Sequence, residues 1–156
     1  MKEERMSIIV TTIANLLFPF IIIFSFYVIM HGHLTPGGGF QGGAIGASAI
    51  VMLIVAYGAR EIRKKVGEEN LSIFESIGGL IFVIVGILGF IMASTFLYNF
   101  LVGSELFGKI PPLGSNPGYL NTGGILPLLN IAVGMKVIGG LASVVLVMAL
   151  FRGDKE

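Results

Sequence analysis

The residue with the greatest potential for chemistry in this chain is a lysine inside an apolar segment. Lys136 lies near the middle of the run from Gly124 to Leu150, which contains no other charged residue. An ammonium group at this depth in a membrane costs roughly 2.5–3.5 kcal/mol on insertion scales, so it is usually paired or placed beside a water-filled cavity. Such residues tend to mark ion or proton paths. Lys136 is therefore the first candidate for a role in ion transport.

Few other side chains could take part in such chemistry. Asn130 lies on the same predicted helix as Lys136, about 120° around its axis. Glu75 and Glu105 are the carboxylates nearest to apolar segments, and both are expected to lie far in depth from the lysine. We therefore expect the partner acid of Lys136 to come from another polypeptide. The alternative is a purely structural ion pair with a neighbouring subunit. Asn130 and Glu75 are kept with Lys136 as ion-path candidates.

Two histidines precede a glycine-rich stretch. His31 and His33 alternate along a loop, so they could share a metal ion only in an extended backbone and with further ligands. The chain has no cysteine, and we predict no metal site. A histidine near the membrane surface can hydrogen-bond to a neighbouring loop or exchange protons there. His33 is retained as a candidate for the outer end of an ion path.

The most distinctive local pattern covers residues 31–43 and reads HGHLTPGGGFQGG. Gly37, Gly39 and Gly42 match the G-x-G-x-x-G spacing of dinucleotide-binding folds, but that motif must follow a strand, and here an apolar helix precedes it. Pro36 and the glycines instead predict a partly unwound, glycine-rich start of the second helix. Non-helical backbone in a membrane persists only where protein or a water-filled cavity covers it. The segment is either a structural turn for close helix packing or a broken helix bordering an ion path.

Four long apolar segments must position these residues. Of the 156 residues, 54% are hydrophobic and 12% are charged, which is about half the charged fraction of a soluble domain. The expected spans are residues 7–30, 41–59, 75–99 and 124–150, each close to or above the roughly 20 residues that cross the hydrocarbon core. The sequence therefore predicts an all-α integral membrane protein of the cell membrane, with four transmembrane helices in one domain, residues 1–156.

Lysine and arginine are distributed unequally on the two sides of these spans. Apart from Lys136, Lys109 alone lies in the loop between the third and fourth spans, and the others fall in the termini and the loop between the second and third. The positive-inside rule therefore predicts that both termini face the cytoplasm. Small residues also recur along the second and third spans, including Gly42, Gly46, Gly79 and Gly86, and predict close packing against other helices.

Several classes of function are excluded by composition. Without cysteine the chain cannot ligate an iron–sulfur cluster through thiolates or form disulfides. A net charge of +1 with no basic domain gives no indication of nucleic-acid binding. Neither a nucleophile with a plausible base nor a phosphate-binding loop is present. We therefore predict no catalytic residues and no cofactor in this chain, and the lipid bilayer as one of its partners.

The run from Gly32 to Gly43 resembles the signature of the B-type component of Mrp-type multisubunit sodium/proton antiporters, the MnhB family. The resemblance implies a small four-helix subunit within a large membrane assembly that exchanges sodium for protons. It also implies a C-type subunit and large antiporter-like subunits as partners. The residues of this chain that carry the motif are Pro36, Gly37, Gly38, Gly39, Phe40 and Gln41.

One departure refines this resemblance. Bacterial members of the family have an acid near the start of the last span, where this chain has Asn130 followed by Lys136. In this respect the chain is similar to the B-type subunit of archaeal membrane-bound hydrogenases and sulfane-sulfur reductase complexes, in which a redox arm is attached to the antiporter module. The resemblance therefore implies an accessory subunit that helps to form a cation/proton route within such a complex. The alternative is a structural scaffold that carries no ion.

Overall fold

The computed structural model describes residues 5–35, 37–110 and 119–153, and the regular structure in these residues is entirely helical. Four of the helices are long and apolar enough to cross a membrane, whereas α3 is short. The predicted all-α protein with four candidate membrane spans is therefore confirmed. The helices are α1 (Ile8–Met30), α2 (Gly39–Tyr57), α3 (Ala59–Val66), α4 (Glu68–Ala93) and α5 (Leu126–Gly153).

Helices α2 and α5 pack against each other and form the centre of the molecule. Helix α1 lies against α2 on one side, and α4 lies against α5 on the other. In the most apolar part of α2, 44% of the residues are buried, compared with 17% in α1 and 22% in α4. The outer faces of α1 and α4 are therefore free to contact lipid or neighbouring subunits.

The short helix α3 lies between two sharp turns at one end of the bundle. Gly58 has φ 87° and Gly67 has φ 75°, a left-handed conformation that glycine adopts without steric cost. The last turn of α3 carries Arg63, Lys64 and Lys65. Its apolar residues complete a core cluster with α2, α4 and α5, formed by Ile54, Ala59, Ile62, Leu71, Ala142 and Leu146.

The N-terminus of the chain reaches this same end. The amide of Met6 donates a hydrogen bond to the carbonyl of Ala56 at 3.0 Å, and the guanidinium of Arg5 lies 5.2 Å from the ring centroid of Tyr57. The ammonium of Lys65 lies 5.0 Å from the same centroid. We call this region, residues 5–6 with 56–69, the basic end of the bundle. Its position in the cytoplasm stays a prediction.

The third span differs from its predicted bounds of 75–99 at both ends. Helix α4 begins at Glu68 because Gly67 makes the turn and because the acidic side chains of Glu68 and Glu69 stabilise the first turn of a helix. It ends at Ala93 because Ser94 takes a left-handed conformation with φ 55°. As a result, Glu75 lies two turns inside the helix instead of at its start.

After Ser94 the chain folds back onto α4. The amide of Leu97 donates to the carbonyl of Gly86 at 3.5 Å, and the ring of Phe96 contacts Gly86 at the place where a side chain would start. A Cβ on Gly89 would lie 2.5 Å from the amide nitrogen of Tyr98. The predicted contact of Gly86 with another helix is therefore wrong: this glycine accommodates the chain's own loop.

Asn99 connects this loop to the start of α5. Its side-chain amide donates to the carbonyl of Gly123 at 3.1 Å, and its side-chain oxygen accepts from the amide of Ile125 at 2.9 Å. Pro127 lies in the first turn of α5, where its missing N–H leaves no helical hydrogen bond unmade. Helix α5 therefore begins at a position that the loop determines.

Helices α1 and α2 approach closely at Gly42, as the small residues predict. A Cβ on Gly42 would lie 2.5 Å from Cγ1 of Ile29 and 2.9 Å from the carbonyl oxygen of Ser25. The buried hydroxyl of Ser25 donates to the carbonyl of Gly42 at 2.7 Å. A Cβ on Gly46 would lie 2.8 Å from the same hydroxyl. Gly42 and Gly46 therefore permit both the packing and the hydrogen bond between these helices.

We expect Gly42→Val to destabilise the protein, because the added side chain separates α1 from α2. Overpacking of this kind costs about 1–3 kcal/mol. The measurement is the thermal unfolding midpoint of the detergent-purified protein. Ser48→Val is the matched control, since Ser48 is exposed on the same helix. A midpoint for Gly42→Val equal to that of the control would contradict the close contact.

Candidate functional site

Helices α4 and α5 cross with their backbones in contact at two glycines. A Cβ on Gly78 would lie 2.5 Å from the carbonyl oxygen of Ala132 and 2.7 Å from the amide nitrogen of Lys136. A Cβ on Gly139 would lie 2.8 Å from the amide nitrogen of Glu75. No larger residue fits at either position without a shift of the helices. The two glycines therefore bring Lys136 and Glu75 to the same level of the bundle.

Lys136 and Glu75 form an ion pair at this crossing. The Nζ atom of Lys136 donates to Oε1 of Glu75 at 3.0 Å. Each charged group lies beside a glycine of the opposite helix. The position of a Cβ on Gly140 is 3.5 Å from the Glu75 carboxyl group, and that of a Cβ on Gly79 is 4.0 Å from Nζ of Lys136. Glycines at these positions leave room for the pair.

This contact shows that the expected partner of Lys136 is wrong. The expectation of an acid from another polypeptide depends on Glu75 lying at the start of its span. Helix α4 begins at Glu68, so Glu75 lies about 10 Å along the helix axis from that end. Lys136 lies about three turns into α5, which runs antiparallel to α4. The two side chains therefore meet within a single chain.

The pair lies on the outer surface of α4 and α5. The side chain of Lys136 is 57% exposed and that of Glu75 is 35% exposed. In water such an ion pair contributes about 0–1 kcal/mol. On a helix that spans a membrane, the same exposed surface must face acyl chains, a polar neighbour or water in a cavity, and acyl chains cannot solvate an ionised group. The exposure therefore indicates a polar environment outside this chain.

Asn130 belongs to a different part of the molecule. A Cβ on Gly38 would lie 2.7 Å from its side-chain oxygen, and a Cβ on Gly32 would lie 2.7 Å from its side-chain nitrogen. A Cβ on Gly39 would lie 2.5 Å from its backbone oxygen. Asn130 therefore packs against the glycine-rich segment, about 9 Å along α5 from Lys136. The structure does not bring these two candidates together.

The glycine-rich segment starts α2 with a side-chain cap. The amide of Gly38 donates to Oε1 of Gln41 at 2.9 Å, which satisfies one of the free N–H groups at the helix start. Gly37 has φ 106°, and Phe40 is 60% exposed. Pro36 lies outside the described residues. The contacts of Gly32, Gly38 and Gly39 with α5 support the interpretation of this segment as a structural turn.

His33 lies beside the loop that leads into α5. A Cβ on Gly123 would be 3.1 Å from Cδ2 of its ring, and within the described residues both ring nitrogens are buried without a hydrogen-bond partner. The ring of His31 instead packs against that of Tyr27, with 4.1 Å between ring centroids. No group of three or more histidine, cysteine, aspartate or glutamate side chains that could hold a metal ion occurs in the described ranges. His33 is thus separated from the Lys136–Glu75 pair by about three turns of α5.

Sequence reasoning missed the two glycines that bring the ion pair together. Gly78 and Gly139 have no distinguishing feature in a sequence with 23 glycines. A signal for the position of Glu75 was present, however. A glycine followed by two acidic residues, as at positions 67–69, is typical of a helix start, and counting from it places Glu75 inside the membrane span.

The fold and this site define a small polytopic membrane protein with a charged pair at a helix crossing. Residues 9–143 match the sequence model of a family described as a domain related to the MnhB subunit of Na+/H+ antiporter. Since this match covers most of the chain, the chain belongs to that family.

Individual relatives agree with this assignment. The chain is 37% identical over 117 residues to the B-type component of the Na(+)/H(+) antiporter of Bacillus subtilis, covering 73% of this chain and 77% of that relative. It is 38% identical over 116 residues to an uncharacterised protein of Methanocaldococcus jannaschii, covering 74% of this chain and 42% of that protein. It therefore spans less than half the length of the archaeal relative.

A solved structure has a similar fold. A chain of the membrane-bound sulfane sulfur reductase, an archaeal respiratory membrane complex, superimposes with a TM-score of 0.72 at 33% identity. The similarity covers 95% of this chain and 62% of the other. The resemblance drawn from the glycine-rich motif to the MnhB family is therefore confirmed.

We expect the ion pair to show strong coupling in a double-mutant cycle of Lys136→Met and Glu75→Gln. Each single change leaves one charged group on the membrane surface of the protein, whereas the double change removes both. Coupling between contacting residues is about 0.5–3 kcal/mol. The measurement is the free energy of unfolding of the four proteins in detergent. Additive effects of the two substitutions would contradict a direct contact.

We expect Gln41→Ala to lower stability by about 1 kcal/mol, because the amide of Gly38 loses its acceptor at the start of α2. Gln41→Glu keeps an oxygen at the same position and serves as the matched control. The measurement is the thermal unfolding midpoint of both variants. Equal losses for alanine and glutamate would show that the cap does not matter.

Proposed function

We propose that this chain is an accessory membrane subunit of an Mrp-type Na+/H+ antiporter module and that it helps to form the cation/proton route. Membership of the MnhB family supports the first part. The ion pair between Lys136 and Glu75 supports the second, and it is the observation that carries the proposal. A charged pair on a membrane helix is costly, and such groups usually serve ion or proton movement.

The geometry suggests what the pair can do chemically. The ammonium of Lys136 and the carboxylate of Glu75 are in direct contact, so together they carry no net charge. A cation that approaches Glu75 competes with Lys136 for the carboxylate oxygens. This competition changes the local electric field, so the pair can respond to ion movement in an adjacent subunit.

We further propose that the module is part of a larger respiratory complex with a redox arm. The relative of known structure belongs to an archaeal respiratory membrane complex, a sulfane sulfur reductase. Lys136 follows Asn130 in the arrangement that the resemblance associates with hydrogenase and sulfane-sulfur reductase complexes. The proposed partners are therefore a C-type subunit, large antiporter-like subunits and a redox arm that holds the cofactors.

The alternative function is a scaffold that fixes the spacing of its larger neighbours and carries no ion. One observation favours it. The family motif is engaged in packing: Gly38 and Gly39 contact Asn130 of α5, and Gln41 caps α2. A motif used in this way stabilises the bundle and needs no ion. The two functions therefore differ in the role of the ion pair alone.

Flux measurements on the assembled complex separate the two functions. We expect Lys136→Met to lower sodium-dependent proton flux in vesicles by at least about tenfold. This corresponds to an increase of roughly 1.4 kcal/mol in the activation free energy of the rate-limiting step. Lys136→Arg keeps the positive charge and should retain more flux. Lys109→Met is the control, because Lys109 lies in a loop outside the spans.

The outcome depends on assembly as well as flux. Full assembly and full flux with Lys136→Met would contradict the ion-path role and favour the scaffold. If the single variant does not assemble, the neutral double variant Lys136→Met with Glu75→Gln replaces it. Normal flux in the assembled double variant would overturn the proposed role of the pair.

A further inference from the structure

A strip of polar and small residues runs along the outer surface of α4 and α5 around the ion pair. Residues three or four apart share one face of a helix, which places the members from each helix in a line. Ser72, Ser76 and Lys136 are exposed, and the others are partly exposed. We call this strip the polar groove; its members are Ser72, Glu75, Ser76 and Gly79 of α4 with Lys136, Gly140 and Ser143 of α5.

The rest of the exposed helix surface has a different composition. The outer faces of α1 and α4 present large apolar side chains, including Ile9, Ile13, Phe20, Ile84 and Ile91. Side chains of this kind are suited to acyl chains. The polar groove combines an ion pair with hydroxyl groups and glycines. The hydroxyl of Ser143 donates to the carbonyl of Gly140 at 3.0 Å, but acyl chains cannot satisfy the remaining donors and acceptors of the ion pair. The groove therefore requires an occupant other than bulk lipid.

The ammonium of Lys136 shows what that occupant must supply. An ammonium group has three N–H donors, and in the described residues Lys136 has one hydrogen bond, to Glu75. The remaining donors need acceptors. Because the pair is already neutral, an additional charged group would itself remain without a counter-charge. The matching chemistry is therefore an uncharged acceptor, such as a hydroxyl, an amide oxygen or an exposed backbone carbonyl.

The open surface at Gly79 favours a helix as the occupant. Gly140 accommodates the carboxyl group of Glu75, 3.5 Å from the position of its Cβ, but near Gly79 only Nζ of Lys136 comes within 4 Å of that position. A second backbone can therefore approach closely there, as it does where membrane helices associate through small residues. We infer that the polar groove is the docking surface for a transmembrane helix of a neighbouring subunit that presents small, uncharged polar residues to Lys136 and Glu75. This inference rests on the proposed function, since it requires a multisubunit complex.

Site-specific photo-crosslinking in the complete complex tests the inference. The photoreactive residue p-benzoylphenylalanine replaces Ser72 in the groove, and the control places it at Ile73, at the same depth but on the apolar side of α4. We expect crosslinking from the photoreactive residue at position 72 to produce a gel band with the mass of this subunit joined to a second subunit. The Ile73 position should attach mainly to lipid. The same probe at Ser76 replaces Ser72 if that variant does not assemble.

Mass spectrometry of the joined peptides decides the result. An attachment in a transmembrane segment with serine, threonine, asparagine or glutamine within one turn, and no charged residue there, supports the inference. Attachment to lipid alone, or to a segment with a charged residue at that level, overturns it. Equal attachment of Ser72 and Ile73 to the same subunit also overturns it, because the contact would then not be specific to the groove.

The crosslinking result is independent of the flux measurement. A crosslink to a suitable helix in a complex whose flux is unaffected by Lys136→Met would support the docking surface and contradict the ion-path role. Loss of flux in that variant, without any crosslink to protein from the groove, would support the ion-path role and overturn the docking surface.

Discussion

The structure depends on the close crossing of α4 and α5. A charged side chain on a membrane helix requires a counter-charge. Glu75 of α4 supplies the counter-charge of Lys136 because the backbones of the two helices lie close together. Gly78 and Gly139 have no side chains, so Lys136 and Glu75 come within 3.0 Å of each other. The position of the charged pair is therefore determined by two residues that carry no charge. Any substitution that separates these helices also separates the charges.

A similar principle operates near the start of α5. The glycine-rich segment brings the start of α2 against the backbone of Asn130, and Gln41 supplies the hydrogen bond that the helix start needs. Helix α5 is thus held by glycine contacts on two sides, from α2 near its start and from α4 further along. The family motif and the ion pair lie at different levels of this central helix. The motif secures the packing, and the ion pair is exposed on the outer surface.

Much of this architecture could be predicted from sequence, because apolar length alone indicates the four spans. Lys136 could be identified because a charged side chain in an apolar span is costly to insert into a membrane. The glycine-rich motif indicated the family. The pairing with Glu75 was missed because the predicted third span began at this residue. Helix α4 begins earlier, where Gly67 is followed by the acidic residues Glu68 and Glu69. The contact of Gly86 with Phe96 was missed because a loop that folds back leaves no periodic pattern. Distances between helices depend on which glycines face each other, and composition does not encode that.

Because the loop after Ser94 folds back onto α4, it covers part of the surface of this helix. Gly79 and Gly86 are seven residues apart and lie on nearly the same side of α4. The ring of Phe96 occupies the surface at Gly86, whereas only Nζ of Lys136 lies within 4 Å of the Cβ position of Gly79. A helix that approaches Gly79 therefore meets an obstruction about 10 Å further on. Such a helix can lie across α4 at a steep angle or stop short of the aromatic ring, but it cannot run alongside α4 for its full length. The chain's own loop therefore limits the geometry of assembly.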